Sequence, residues 1–164
     1  HGQYHHKESA VIAMLTAEKK AMLEKICTHQ LEGLMFHFDY ACIAKLLGHE
    51  KMACIQHKQA MKETEKHLNT VLRLIEAYGE VFHASSSKPT THAIEVGEKP
   101  SSKELADKIC HEMMEKWKDW ECQTVQLYDE AIHAMPDCKM WKCLKHDAEK
   151  EMEYVSNLLR KSNP

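Results

Sequence analysis

Two short motifs in this chain place a lysine three residues after a carboxylate. They are Glu63-x-x-Lys66 and Asp147-x-x-Lys150, and each lies within a long amphipathic pattern typical of an α-helix. Residues three apart on a helix are neighbours, so each lysine can face the same partner as its carboxylate. A charged lysine has no lone pair with which to bind a metal. The motifs therefore indicate cation binding by carboxylates, in which the ammonium group of each lysine competes with the cation for the carboxylate.

The composition indicates one all-helical domain. The chain has 164 residues with only five glycines and four prolines, and Ala, Leu, Met, Glu and Lys are abundant. Charged residues make up 29% and the formal net charge is −3, which does not indicate a nucleic-acid partner. No apolar run approaches the roughly 20 residues of a membrane span. We therefore expect neither a nucleic-acid partner nor a membrane-spanning segment.

Apolar residues at three- and four-residue steps predict four helices. The predicted helices cover about residues 8–47, 50–78, 102–134 and 138–160. Gly48 and Pro136 mark short turns, whereas residues 79–101 lack a helical period and can span the length of a bundle. The prediction is a four-helix bundle, two antiparallel hairpins joined by one long crossover, as a single domain over residues 8–160. Residues 1–7 are expected to form a flexible N-terminal segment.

Parts of the chain resemble the ferritin-like superfamily, and bacterioferritin most closely. Residues 41–53 (ACIAKLLGHEKMA) are similar to that family's first helix–turn–helix segment, and roughly residues 23–79 align without a gap. Residues 96–98 resemble the tripeptide before the family's third helix, and residues 140–147 (MWKCLKHD) resemble the start of its fourth-helix motif. The resemblance implies a ferritin-like four-helix bundle whose core carboxylates bridge a pair of metal ions.

Carried over to this sequence, the family's metal-ligand positions keep three of four carboxylates and lose both histidines. The family's first-helix glutamate corresponds to Gln30. Its second-helix Glu and His correspond to Glu63 and Lys66, and its fourth-helix Glu and His correspond to Asp147 and Lys150. The third-helix glutamate corresponds to Glu121 when counted from the turn at Pro136, or to Glu112 when aligned from Val96. The resemblance therefore implies a degenerate di-iron site in which Lys66 and Lys150 neutralise the carboxylates.

The expected function is the binding or handling of iron or another divalent metal without ferroxidase activity. A ferroxidase needs neutral nitrogen donors and an open coordination position. Replacement donors are available in His67, His146 and His37, the last standing where the family has a tyrosine beside the metals. Thr64 stands at the position of the family's haem-ligating methionine, so no haem is expected. Whether the chain is an enzyme, and whether it forms a homo-oligomer, stays open.

The seven cysteines support two alternative functions. Cys42 and Cys54 lie at equal distances from the first turn, and Cys27 and Cys143 lie at similar heights on the first and fourth predicted helices. Disulfides within these pairs would indicate a secreted, disulfide-stabilised bundle that acts through its surface; a cytoplasmic location is the alternative. The same residues and Cys110 could instead bind Cu(I) or another soft metal, together with Met and His. A third possibility is that the thiols are free and structural.

Overall fold

Four helices make up the computed structural model, which describes residues 15–85 and 92–162. In chain order they are α1 (Ala17–Leu46), α2 (Glu50–Tyr78), α3 (Lys103–Ala134) and α4 (Lys139–Ser162). The described residues contain no strand, so the all-α class and the number of helices are confirmed. None of these helices is long and apolar enough to cross a membrane. The predicted N-terminal segment, residues 1–7, lies outside the described residues.

The start of the first helix differs from the prediction. Thr16 has an extended backbone, and its side chain accepts a hydrogen bond from the backbone N–H of Lys19 at 3.1 Å. This contact satisfies one of the free N–H groups at a helix N-terminus and makes Thr16 a cap. The helix therefore begins at Ala17 and not near residue 8, and residues 8–14 lie outside the described part. The other predicted boundaries agree within two residues.

The helices pack so that α1 contacts both α2 and α3. Gln30 bonds Tyr128 of α3, whereas His37, about two turns later in α1, packs against Trp117, earlier in α3. The contacts run in opposite order along the two helices, so α1 is antiparallel to α3. Short connections at residues 47–49 and 135–138 join α1 to α2 and α3 to α4.

The long connection between α2 and α3 lies along α1 where the structure describes it. The backbone N–H of His83 donates to Glu24 Oε2 at 3.0 Å, near the start of α1. The Tyr40 hydroxyl, near the end of α1, donates to the backbone carbonyl of His92. The two described ends of this connection therefore contact α1 near its opposite ends.

Two apolar clusters form the core, and polar residues separate them along each helix. One cluster surrounds Trp117 near the α1–α2 turn, and the other surrounds Trp141 towards the opposite end. Between them the helices carry polar side chains, which we call the buried polar layer: Gln30 in α1, Gln59 and Glu63 in α2, Glu121 in α3 and Glu151 in α4.

The helices α1 and α3 pack tightly at Gly33. A Cβ atom at this position would lie 2.2 Å from Cζ2 of Trp120. The buried Trp120 indole stacks on the ring of His29, with centroids 4.6 Å apart, and its Nε1 donates to the His29 carbonyl at 3.2 Å. A glycine is required here because the tryptophan is fixed on both sides and occupies the space of a side chain.

Candidate functional site in the buried polar layer

Three carboxylates from three helices meet in the buried polar layer. Glu63 and Glu121 are 3% and 1% exposed, and Glu151 has one oxygen that solvent does not reach. Trp117 Nε1 donates to Glu121 at 3.0 Å. Ionised carboxylates are costly to bury without cations or donors around them. The layer is therefore the most strongly polarised part of the described core.

Burial raises the pKa values of two of these carboxyl groups, Glu63 and Glu121. Burial raises the pKa of Glu63 to about 7; the positive charge of Lys66 opposes this, and the negative charge of Glu151 adds to it. Burial also raises the pKa of Glu121 well above its ordinary value, and the charge of Glu63 raises it further. Because each charge disfavours the next, the carboxyls take up protons or another cation in preference to standing ionised side by side.

Two lysines of α2 stand at the edge of the layer. Lys66 Nζ lies 3.7 Å from Glu63 Oε1, and the Lys66 side chain is 21% exposed. Lys62 Nζ lies 3.2 Å from Glu151 Oε1, and its side chain is 56% exposed. The predicted pairing of Lys66 with Glu63 is therefore seen in the structure. Because both lysines reach solvent, each can move its charge away from the layer at small cost.

The side-chain amide of Gln30 has hydrogen-bond partners at both its nitrogen and its oxygen. Its Nε2 donates to Thr70 Oγ1 at 3.1 Å and to Tyr128 Oη at 2.9 Å. Its Oε1 lies 3.2 Å from Nδ1 of His67, and since an amide oxygen only accepts, His67 donates. In neutral His67 the lone pair is then on Nε2. Burial lowers the pKa of His67, which favours that neutral form.

His37 is a buried neutral imidazole with one free nitrogen. Its Nδ1 lies 2.6 Å from Gln56 Oε1, while Gln56 Nε2 faces the Met52 sulfur at 3.4 Å. This amide orientation makes His37 Nδ1 the donor and leaves the lone pair on Nε2. Burial lowers the pKa of His37 to about 3. In this form the Nε2 of His37 can act as an acceptor, while its Nδ1 bonds Gln56 and its ring packs on Trp117.

Most of the buried polar atoms that lack a hydrogen-bond partner are acceptors. Over residues 15–85 and 92–162 these acceptors are His37 Nε2, Gln59 Oε1 and Glu151 Oε2. The fourth such atom, Trp141 Nε1, is a donor in the apolar cluster beyond the layer. Buried acceptors are normally satisfied by donors, ions or ordered water. Gln59 and Glu151 thus add two free oxygens to a layer already crowded with negative charge.

Four residues predicted for the metal site are exposed. On α4 these are Asp147, Lys150 and His146, so the prediction that they lie in the core is wrong. The reason is that α4 buries Trp141, Ala148 and Val155, at seven-residue steps. On α3, Glu112 is exposed beside Lys116 at 3.9 Å, so Glu121 is the buried alternative.

The sequence prediction did not include Glu151, because the number of residues from the turn does not distinguish it from Asp147. Glu121 lies 135 − 121 = 14 residues before Met135, whereas Asp147 and Glu151 lie 147 − 135 = 12 and 151 − 135 = 16 residues after it. Both differ from 14 by two. The apolar steps of α4 carry the missing signal, since Glu151 lies three residues after Ala148 and four before Val155, on the buried face.

The side chains of the layer do not form a ready metal site. In the part of the chain that the structure describes, no group of three or more His, Cys, Asp and Glu side chains is placed to hold a metal ion. Lys66, Lys62 and Trp117 instead hold the three carboxylates. Binding an ion would require the two lysines to release Glu63 and Glu151.

All seven cysteines are free thiols in the structure. Cys27 is buried in the core whereas Cys143 is exposed, which is not the arrangement that a bridge between them requires. Cys42 and Cys54 are both exposed, and a bridge between these two stays a prediction for oxidised protein. Cys110 is buried with Met113 and Met114, where it packs as an apolar residue.

Thiol reactivity should divide the cysteines into fast and slow groups. Cys42, Cys54, Cys122 and Cys143 are exposed and should react with a thiol reagent in the native protein. Burial raises the pKa values of Cys27 and Cys110 to about 11, so both should react only after unfolding. A timed absorbance assay with mass-spectrometric mapping measures this. Fast labelling of Cys27 would contradict its burial, and fewer than four fast thiols in unreduced protein would favour the disulfide-stabilised alternative.

No family model matches the chain, and no curated protein or solved structure is significantly similar to it.

Proposed function

We propose that this chain is a ferritin-like bundle that binds a divalent cation in its buried polar layer and lacks ferroxidase activity. The observation that supports this most directly is the gathering of Glu63, Glu121 and Glu151 between two apolar clusters, with one Glu151 oxygen and Gln59 Oε1 unpartnered. Three of the positions to which the resemblance pointed, Gln30, Glu63 and Glu121, are buried in the layer.

Charge balance favours a hard divalent ion such as Mn²⁺ or Fe²⁺. When ionised, the three carboxylates carry more negative charge than Lys66 and Lys62 neutralise. Carboxylate and amide oxygens are the ligands that hard divalent cations prefer. An ion that enters the layer replaces the protons held there by the raised pKa values of Glu63 and Glu121. Binding should therefore release protons and strengthen as the pH rises.

The residues that stand at the family's two histidine positions argue against oxidase chemistry. Lys66 follows Glu63 at the three-residue step where the resembling family has a histidine, and Tyr154 follows Glu151 at the same step. A lysine and a tyrosine replace both neutral imidazoles. The layer thus fits binding or storage of an ion better than its cycling between oxidation states.

Manganese binding tests this proposal with matched variants. Mn²⁺ is a carboxylate-preferring probe that avoids the thiols, and binding is measured by calorimetry and by loss of the free-ion EPR signal. Glu63→Gln and Glu151→Gln should each abolish or strongly weaken binding. Glu65→Gln and Asp147→Asn, which change exposed neighbours on the same helices, should not. Equal binding by all four variants, or no binding by the unmodified protein, would overturn the proposal.

Restoring a histidine at position 66 should strengthen metal binding. Lys66→His removes the ammonium group that lies 3.7 Å from Glu63 and adds a neutral nitrogen donor at helical neighbour spacing. We expect the affinity for Co²⁺ to rise by about tenfold or more, which corresponds to roughly 1.4 kcal/mol. The visible absorption of Co²⁺ reports both affinity and the entry of nitrogen into its coordination. Lys58→His, on an exposed position of α2, is the control and should leave the affinity unchanged.

A further inference from the structure

The outer face of the α1–α2 hairpin carries a groove lined with sulfur-containing residues. The groove has a volume of about 940 Å³. We call it the hairpin groove, and the lining residues that concern us are Met35, Phe38 and Cys42 of α1 and Cys54, His57 and Met61 of α2. It is separate from the buried polar layer, since Ala60 and Thr64 line the groove while Gln59 and Glu63 point to the core.

The sulfur-containing residues of the groove form two pairs, and the two members of each pair lie at the same height on α1 and α2. Cys42 lies 48 − 42 = 6 residues before Gly48 and Cys54 lies 54 − 48 = 6 after it. Met35 lies 48 − 35 = 13 residues before the same turn and Met61 lies 61 − 48 = 13 after it. Residues equidistant from a tight turn stand at the same height on the two helices. The hairpin therefore presents a pair of thiols and, about two turns further along, a pair of thioethers.

The thiol pair suits a bridging ion better than a disulfide. Neighbouring helices lie about 8–10 Å apart, and a disulfide holds its sulfurs only about 2.05 Å apart. With metal–sulfur bonds of about 2.3 Å, one ion holds two sulfurs up to roughly 4.6 Å apart. Both thiols are free and exposed in the structure, so an ion from solvent can reach them without unfolding the bundle.

The number of ligands selects the class of ion. Structural zinc takes four ligands, but the described residues provide no cluster of three His, Cys, Asp or Glu side chains. Two thiolates are enough to complete the linear coordination of a soft monovalent d¹⁰ ion. Among such ions, thiolate and thioether ligands favour Cu(I).

We propose that the hairpin groove binds one Cu(I)-class ion between Cys42 and Cys54, and that Met35 and Met61 form a second, weaker binding site. Binding is a ligand exchange with no redox step. The ion loses its solvent or carrier ligands, two S–Cu bonds form, and the two S–H protons pass to water or buffer. Met35 and Met61 are 42% and 61% exposed, and their thioethers are neutral ligands without the negative charge of a thiolate, so this second site should bind less tightly.

Anaerobic titration with Cu(I) against a chromophoric chelator tests the site. Reduced full-length protein should take up one ion per chain tightly, with a thiolate-to-copper absorption in the near ultraviolet. The double variant C42S/C54S should lose more than tenfold in affinity for that ion. The matched double variant C122S/C143S, which removes exposed thiols of α3 and α4, should retain it.

Three further outcomes bear on the assignment. M35L/M61L should remove only a second, weaker equivalent of Cu(I). Circular dichroism of C42S/C54S should match that of the unmodified protein, because both thiols are exposed and outside the core clusters. Unchanged Cu(I) affinity in C42S/C54S, or one ion shared between two chains, would overturn the assignment of a site within one hairpin.

Discussion

Replacing Glu63 with glutamine is expected to raise the free energy of unfolding of the metal-free protein by about 2–4 kcal/mol near pH 8 and to change it little near pH 4. The folded-state pKa of Glu63 is raised from 4.5 to about 7. The proton is therefore bound more tightly in the folded than in the unfolded chain. Its stabilising contribution is complete below pH 4.5 and is lost as the pH rises through 7, where the buried carboxylate must ionise.

Glutamine has the shape of the protonated acid but never ionises. Near pH 8 the variant is spared the cost of a buried charge, whereas near pH 4 the two side chains are almost equivalent. Lys66 loses its carboxylate partner in the variant, but its side chain is 21% exposed and can turn into water. A gain in stability at high pH is thus expected together with the loss of Mn²⁺ binding, so that stability and function move in opposite directions.

Denaturant unfolding at several pH values measures this effect as a difference between variants. The pH dependence of the unfolding free energy of the unmodified protein does not isolate this effect. His29 and His37 contribute a pH dependence of the opposite sign to that of Glu63. Burial lowers the pKa values of both imidazoles from 6.5 to about 3, so they remove stability as the pH falls from 6.5 towards 3. Glu65→Gln, at an exposed position, is the control. A Glu63→Gln protein no more stable than the control near pH 8 would contradict the burial of an ionisable carboxylate.

Replacing Gly33 with alanine is expected to destabilise the protein by about 1–3 kcal/mol. Helix propensity alone predicts the opposite, since alanine is favoured over glycine within a helix by about 1 kcal/mol. The new Cβ would lie 2.2 Å from Trp120 Cζ2. The indole cannot easily withdraw, because it is stacked on His29 and bonded to its carbonyl. Overpacking should therefore outweigh propensity and push α1 away from α3.

A double-mutant cycle separates the two contributions. Trp120→Leu alone should destabilise the protein by several kcal/mol, since it truncates a fully buried aromatic side chain. In that background Gly33→Ala should become neutral or stabilising, because the space is open and only propensity remains. Gly97→Ala is a useful control, as a Cβ there would meet nothing within 4 Å. Equal effects of Gly33→Ala in both backgrounds would show that the contact with Trp120 is not the cause.

Much of the fold, but only part of the site, follows from the sequence. Periodicity gives the four helices because burial of one face is what stabilises each of them. The resemblance points to Glu63, and to Glu121 when residues are counted from the turn at Pro136, and both are buried. That count fails on α4, because Asp147 and Glu151 are equally far from the level of Glu121 and only the apolar steps around Ala148 decide between them.

The hydrogen-bond partners in the core lie beyond what periodicity can predict. That His67 donates to Gln30 and His37 to Gln56 depends on side-chain rotamers and on which amide end faces the imidazole. Spacing places a histidine on a face of a helix, but several polar side chains share that face. Likewise, equal distances from a turn bring Cys42 and Cys54 level without deciding whether their sulfurs bond each other, a metal ion or neither.

The hydrogen bonds of Gln30 determine the axial register of the bundle. Apolar clusters tolerate the sliding of one helix by a turn, about 5.4 Å, since one apolar side chain can take the place of another. Gln30 does not, because its amide bonds Thr70 and His67 of α2 and Tyr128 of α3 simultaneously, and any slip would leave buried donors and acceptors unmatched. This amide aligns three helices in a single arrangement, with or without a bound ion.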